Sequence, residues 1–462
     1  MPDATDPFPA LVRHVAGLRF EDMPPEAVAA AKTFLIDTFG VGAAGTVGAN
    51  LEGVIRAAEA WGRGEAASVW GRDLRLPPAS AAFVNAYQIH SLEFDCVHEP
   101  AVLHPMSSVL SAAMAAAEAR SAAGRPVTGR ELIAACAAGV DVACFLGAAA
   151  RGPVRFFRPA VAGGFGAVAA VAKISGFDEA RTADAFGIQY GQTSGTMQPH
   201  VEGSPLLGLQ VGFAARSGVA SCDLVAAGLG GPRDVFTGRY GYFRLIEDDL
   251  FDTGPGLAEL GRVFQIARLS HKPWPTGRLT HGIIDGLRQL QSRHGFAADE
   301  VAAVECRVPP LVHRLVGRPD VPEPAANYAK LCIPFIAATV LRFGDVEVGH
   351  FLGKAVLDDP LTHAIAQRVT VEDDGNPDPN AMTPQHLRVR LASGTEHALD
   401  IPHMFGHPER PMSAQENLSK FRRAWAGATA LSAAQGEALA AALADCETLP
   451  DAAALAAFLR PA

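Results

Sequence analysis

Apolar residues in the first part of the chain recur at three- to four-residue spacing, which predicts one helix after another. Pro24-Pro25 opens a helix carrying Val28, Leu35 and Phe39 on one face, and Gly45 ends it. A second helix starts near Pro78 and runs through Phe83, Val84, Tyr87 and Leu92. Thr128-Gly129-Arg130-Glu131 reads as a capping box, in which the threonine accepts from the third amide and the glutamate reaches back. The helix it starts turns Leu132, Ile133 and Cys136 inward. Further helices are predicted from Asp178 or Glu179 onward and over Gln210 to Ala227.

The pattern changes near Ser270. Val301 to Val308 and Arg368 to Glu372 alternate as strands do. His386 to Leu391 and Glu396 to Ile401 flank Ala392-Ser393-Gly394-Thr395, which predicts a hairpin. Helical stretches at Thr280 to His294 and Ala326 to Phe343 complete an α+β unit, and Ser413 to Leu459 returns to an alanine-rich helical pattern. The expected fold is mainly α with an inserted α+β lid. Residues 1–269 and 405–462 form one large helical domain, and residues 270–404 form the smaller α+β domain. A cleft beside such an insertion is a common place for a ligand.

A chain of 462 residues is too long for one compact core, which agrees with two domains. Hydrophobic residues make up 49% but aromatics only 7%, so the core is built from small side chains that let helices approach closely. The net charge of −10 argues against a nucleic-acid partner but leaves room for a local basic pocket. Seven cysteines, an odd number without a Cys-x-x-Cys pair, read as reduced thiols in a cytoplasmic protein. The apolar run Leu132 to Ala150 is broken by Asp141, so a buried helix is expected and no membrane span.

Three segments carry candidate chemistry. Between His90 and His104 stand three histidines, Glu93, Asp95, Glu99 and Cys96, at the exit of an apolar helix; the alternative is an ordinary polar helix end. No His-x-x-x-His pair or zinc spacing is present, so no metal is expected. His271, Lys272, Arg278 and His281 precede an amphipathic helix that Thr280 is expected to cap. Such a start suits a carboxylate, or is simply a solvated basic turn. Arg158 leads into Gly163-Gly164-Phe165-Gly166, which could cradle an anion or allow close helix packing.

At these segments the sequence resembles the MmgE/PrpD family in an ordered series across nearly the whole chain. The series runs Phe34-Leu35-Ile36-Asp37-Thr38-Phe39-Gly40, Ala82-Phe83-Val84-Asn85 leading to His90, Phe94 and Asp95, then His104-Pro105. It continues with Gly163-Gly164-Phe165-Gly166-Ala167, Phe186-Gly187-Ile188, Gln210 to Gly218, Gly231-Pro232, Lys272-Pro273 with His281, and Ile333-Pro334-Phe335. The resemblance implies homodimers, no organic cofactor, and a small polycarboxylate substrate. Members include 2-methylcitrate dehydratase, cis-aconitate decarboxylase and iminodisuccinate epimerase, all of which work beside a carboxylate.

Carried over residue by residue, the resemblance makes His104, His281, Lys272 and Glu93 the catalytic candidates. Arg158, Arg278, Asp95 and Cys96 become substrate-binding candidates. Several positions depart from the family pattern. Glu93 stands for an aspartate, Cys96-Val97 for an Asp-Thr pair, Arg158 for a histidine and Phe335 for a tyrosine. Leucines near 206–209 stand where a lysine is usual. These changes imply a divergent member with its own substrate. A lyase is the first expectation; an epimerase or isomerase of a dicarboxylate, and a non-catalytic binding protein, are the alternatives.

Overall fold

The computed structural model describes residues 6–461, which divide into two compact units. The first comprises the chain up to Thr196, Gly208–Leu269 and everything from Ser413 onward; the second comprises Met197–Leu207 and Ser270–Met412. The second unit therefore runs past the expected end at Met404 and takes in a short segment, Met197–Leu207, that sequence placed with the helices.

The helices that position the chemistry are α1 (Pro25–Ala44), α2 (Pro78–Ser91), α3 (Pro105–Ala122), α4 (Gly129–Ala149), α5 (Gly163–Ile174), α6 (Leu206–Ala226), α7 (His281–His294), α8 (Ile333–Phe343) and α9 (Ala414–Ala426). The strands are β1 (Ala67–Ser68), β2 (Arg75–Leu76), β3 (Val301–Val308), β4 (Val369–Asp373), β5 (Gln385–Leu391) and β6 (Glu396–Ile401).

In the first unit α3 is sandwiched by α2, α4 and α5, α4 packs on α5, and α1 packs on α2. Small residues make this closeness possible. A Cβ on Gly139 of α4 would meet the Gly166 carbonyl of α5 at 2.7 Å, and one on Gly166 would meet the Gly139 carbonyl at 2.6 Å. The C-terminal helix α9 packs on α1, so both chain ends build the helical unit as expected. Its only strands among the described residues are the antiparallel pair β1–β2. The Thr128 capping box forms: Thr128 Oγ1 accepts from the Glu131 amide, and Glu131 accepts from the Thr128 amide at 2.7 Å. Pro25–Val47 and Gly129–Ala149 are long and apolar enough to cross a membrane; 67% and 94% of their most apolar windows are buried inside this fold.

The second unit holds a four-stranded sheet in the order β4-β3-β5-β6, with β3 parallel to β4 and antiparallel to β5. The β5–β6 hairpin turns at Gly394, whose φ of 90° suits only glycine. A register shift between Val301 and Ala303 breaks the strict alternation of β3. Helix α7 packs on β5, β6 and α8. The single helix expected over Ala326 to Phe343 is split into Ala326–Ala329 and α8, because Pro334 fits only at a helix start. Thr280 precedes α7 but does not cap it, since its hydroxyl donates to the Gly277 carbonyl.

Candidate active site

The loop from α2 to α3 concentrates the chemistry of the first unit. Helix α2 ends at Ser91, and the Glu93 amide bonds back to the His90 carbonyl at 3.0 Å. Glu93 sits at φ 52°, a left-handed conformation that glycine usually fills at a helix end and that costs another residue roughly 1–2 kcal/mol. The strain turns the chain at once and sets the Glu93 carboxylate 3.4 Å from His90 Nε2. Further on, His98 and Leu103 pair as a minimal ladder around a turn in which Val102 is also left-handed, at φ 53°. This ladder delivers His104 to the start of α3. Pro105, at the first helical position, keeps His104 out of the helix (φ −111°, ψ 84°).

Asp95 is the hub. It is fully buried, and one oxygen accepts from both His90 Nδ1 (3.0 Å) and the Ser107 hydroxyl. Its other oxygen lies 3.5 Å from His104 Nδ1. His104 Nδ1 also donates to the Cys96 carbonyl at 3.1 Å. The partners of both Nδ1 atoms are acceptors, so each Nδ1 carries its proton, and the Nε2 of His90 faces the Glu93 carboxylate. The two rings meet edge to face, with centroids 5.0 Å apart. Exposure separates their roles: the His104 side chain is 14% exposed, against 1% for His90. His104 is thus the more accessible of the two rings, while His90 is held between Asp95 and Glu93. His90, Asp95 and His104 also place their potential metal-ligand atoms within 4.8 Å of one another. The same three side chains form a hydrogen-bonded relay through Asp95.

Three substrate-binding candidates take other roles here. Asp95 orients imidazoles and has no exposed surface. The Cys96 thiol is fully buried, and burial together with Asp37 and Asp95 holds it well above the usual thiol range; its contribution is the carbonyl that receives His104. Arg158 is buried in a two-point pair with Glu247, Nε to Oε1 at 3.3 Å and Nη2 to Oε2 at 3.2 Å. A carboxylate ligand would have to displace Glu247 to be clamped there. The glycines after Arg158 serve packing, as at Gly166, and the Gly163 carbonyl accepts from Ser108.

The basic cluster of the second unit is equally buried. Lys272 and His281 have no exposed surface, and Arg278 is 3% exposed. Arg278 donates to the carbonyls of His271 (3.0 Å), Phe405 (2.8 Å) and Met404 (3.3 Å), which fixes its guanidinium among backbone dipoles. It also approaches His281 Nδ1 at 3.4 Å. A guanidinium only donates, so Nδ1 is the acceptor and Nε2–H points to the Thr276 carbonyl at 3.4 Å. His281 is a neutral imidazole braced edge to face against Trp274.

Sequence reading left His90 and Ser107 without assigned roles. His90 had a signal, as a lone imidazole at the polar end of an apolar helix, five residues before an aspartate. Ser107 had none, because nothing along the chain marks which hydroxyl will face Asp95.

Fold and site together define an α-rich two-unit protein carrying a carboxylate-oriented pair of histidines on one unit and a basic cluster on the other. Comparison with known families agrees in both halves: the MmgE/PrpD N-terminal domain matches residues 9–251, and the MmgE/PrpD C-terminal domain matches residues 274–445. The chain belongs to the MmgE/PrpD family. It is 25% identical over 431 residues to cis-aconitate decarboxylase of Mus musculus, covering 90% of this chain and 86% of that one. It is 26% identical to the Homo sapiens enzyme over 422 residues, covering 88% and 85%. To the cis-aconitate decarboxylase-like protein oryM of Aspergillus oryzae it is 27% identical over 441 residues, 89% of each.

Proposed function

We propose that this protein is a lyase that removes carbon dioxide or water from a small unsaturated or hydroxylated di- or tricarboxylic acid. The observation that carries the reading is the Asp95 hub, which fixes the tautomer and direction of His104 at the most exposed point of an otherwise buried polar network. The similarity to cis-aconitate decarboxylases favours loss of carbon dioxide over loss of water.

In such a reaction the bond to the departing carboxylate breaks, and its electron pair passes into the remaining unsaturated acid as an enediolate-like anion. A proton then returns to carbon. His104 is the proton donor in this scheme, with Asp95 holding the ring as its charge changes and His90 and Glu93 bracing the hub. Lys272 and Arg278 supply the positive charge that carboxylates and a developing enediolate require, and His281 is the second acid–base candidate.

The test is a panel of 2-methylcitrate, citrate, cis-aconitate, malate-type and aspartate-derived acids, followed by NMR in deuterated buffer. Release of carbon dioxide with one deuteron entering the product, or release of water with loss of the carbon-bound proton beside the hydroxyl, supports the reading. Stereochemical inversion or deuterium exchange alone would replace it with an epimerase. Saturable binding without turnover would replace it with a binding protein.

A further inference from the structure

Beneath the loop that carries Glu93 and Asp95 lies a buried ion pair drawn from opposite ends of the chain. Asp37, on α1, is 4% exposed in its side chain, and Lys420, on α9, has no exposed surface; Lys420 Nζ lies 2.6 Å from Asp37 Oδ1. The same ammonium donates to the Phe94 carbonyl at 3.0 Å and stands 4.3 Å from the centroid of the Phe94 ring. Phe94 is the residue between the strained Glu93 and the hub Asp95. A cation in that position grips the loop twice, by its backbone oxygen and by its ring face. Asp37 keeps the ammonium charged and aimed.

We propose that Lys420 is a positioning residue for the reaction, acting through Phe94 to hold Glu93 and Asp95 against His90 and His104. The left-handed Glu93 backbone relaxes unless its surroundings over-determine it, and the Lys420–Phe94 bond is the restraint immediately after it. On this reading the C-terminal segment closes the helical unit and also sets the acid–base geometry, with Asp37 of α1 as its anchor. The proposal rests on the lyase reading for its catalytic consequence, but not for its structural one.

The test uses the full chain as Lys420→Met and as the double variant Asp37→Asn/Lys420→Met. The single variant leaves Asp37 buried without its cation and loses thermal stability, whereas the double variant removes both charges and recovers most of it. In the double variant kcat is expected to stay about 10- to 100-fold below the parent with KM within about threefold. Amide hydrogen exchange across residues 92–97 is expected to be about tenfold faster, while that of Gly129–Ala149 matches the parent. Recovery of kcat together with stability, or parent-like exchange across 92–97 in the double variant, overturns the proposal and reduces the pair to a fold-holding contact. If the parent turns over none of the acids, the lyase reading falls, and the exchange measurement still decides whether Lys420 holds the loop.

Discussion

The two polar clusters of this protein are buried to a similar degree and built on opposite principles. Around His104 the organising group is an anion: Asp95 receives two imidazoles and a hydroxyl, and two residues of its loop are held in left-handed conformations. Around Arg278 the organising group is a cation, seated among three backbone carbonyls, and His281 beside it is neutral. A carboxylate that fixes an imidazole prepares it to carry a proton. A guanidinium fixed by dipoles keeps its full charge in one place. On the lyase reading proposed above, proton transfer falls to the first region and charge recognition to the second.

The largest effect should come from splitting these roles kinetically. His104→Asn is expected to lower kcat about 100- to 10,000-fold with KM within about threefold, and Lys272→Met to raise KM about 10- to 100-fold with a smaller change in kcat. Steady-state kinetics on the substrate found in the panel checks both. Equal losses of kcat in the two variants would erase the division.

A second expectation concerns the arginine that does not belong to the charge-recognition region. Arg158→Met should destabilise the protein by about 3–5 kcal/mol, because Glu247 is left buried without its partner, and should leave KM unchanged. Denaturant unfolding alongside kinetics decides this; a raised KM at near-parent stability would return Arg158 to the substrate.

The third and smallest effect is a pH dependence within the first region. His98 is held down to about 4, mainly by burial and against the bond it makes with Gln265 at 3.1 Å, and it lines a cavity of about 110 Å³ behind the loop. Its folded value lies below the ordinary histidine value. Its contribution is therefore fully present above about pH 6.5 and is lost as pH falls toward 4, by up to about 3 kcal/mol. Unfolding curves from pH 7 to 4 should steepen in His98-containing protein relative to His98→Gln. Identical slopes would remove His98 as the acid-sensitive group.

Much of this was legible in the sequence because it depends on neighbours along the chain. Helix α4 announces its start through Thr128 and Glu131 three residues apart, and the β5–β6 hairpin through Gly394 between two alternating runs. Each needs only short-range geometry. The concentration of His90, Glu93, Asp95 and His104 in one loop was visible for the same reason, and the family resemblance gave roles to Glu93, Asp95 and His104 but not to His90. The split of the Ala326 to Phe343 stretch was also written locally, in Pro334, but helical periodicity outweighed it.

What only the tertiary structure decided are pairings between residues far apart in the chain. Sequence suggested that Arg158 would clamp a carboxylate; folding supplied one from the protein itself, Glu247. Sequence offered Cys96 as a side chain, and the fold buried the thiol and used the carbonyl. Asp37 and Lys420 are ordinary charged positions until α9 packs on α1, and β3 beside β4 is a parallel pairing that no turn between them specifies. The reason is common to all of them. A charge or a strand edge needs a partner once water is removed, and which partner it meets is settled by packing across the whole chain.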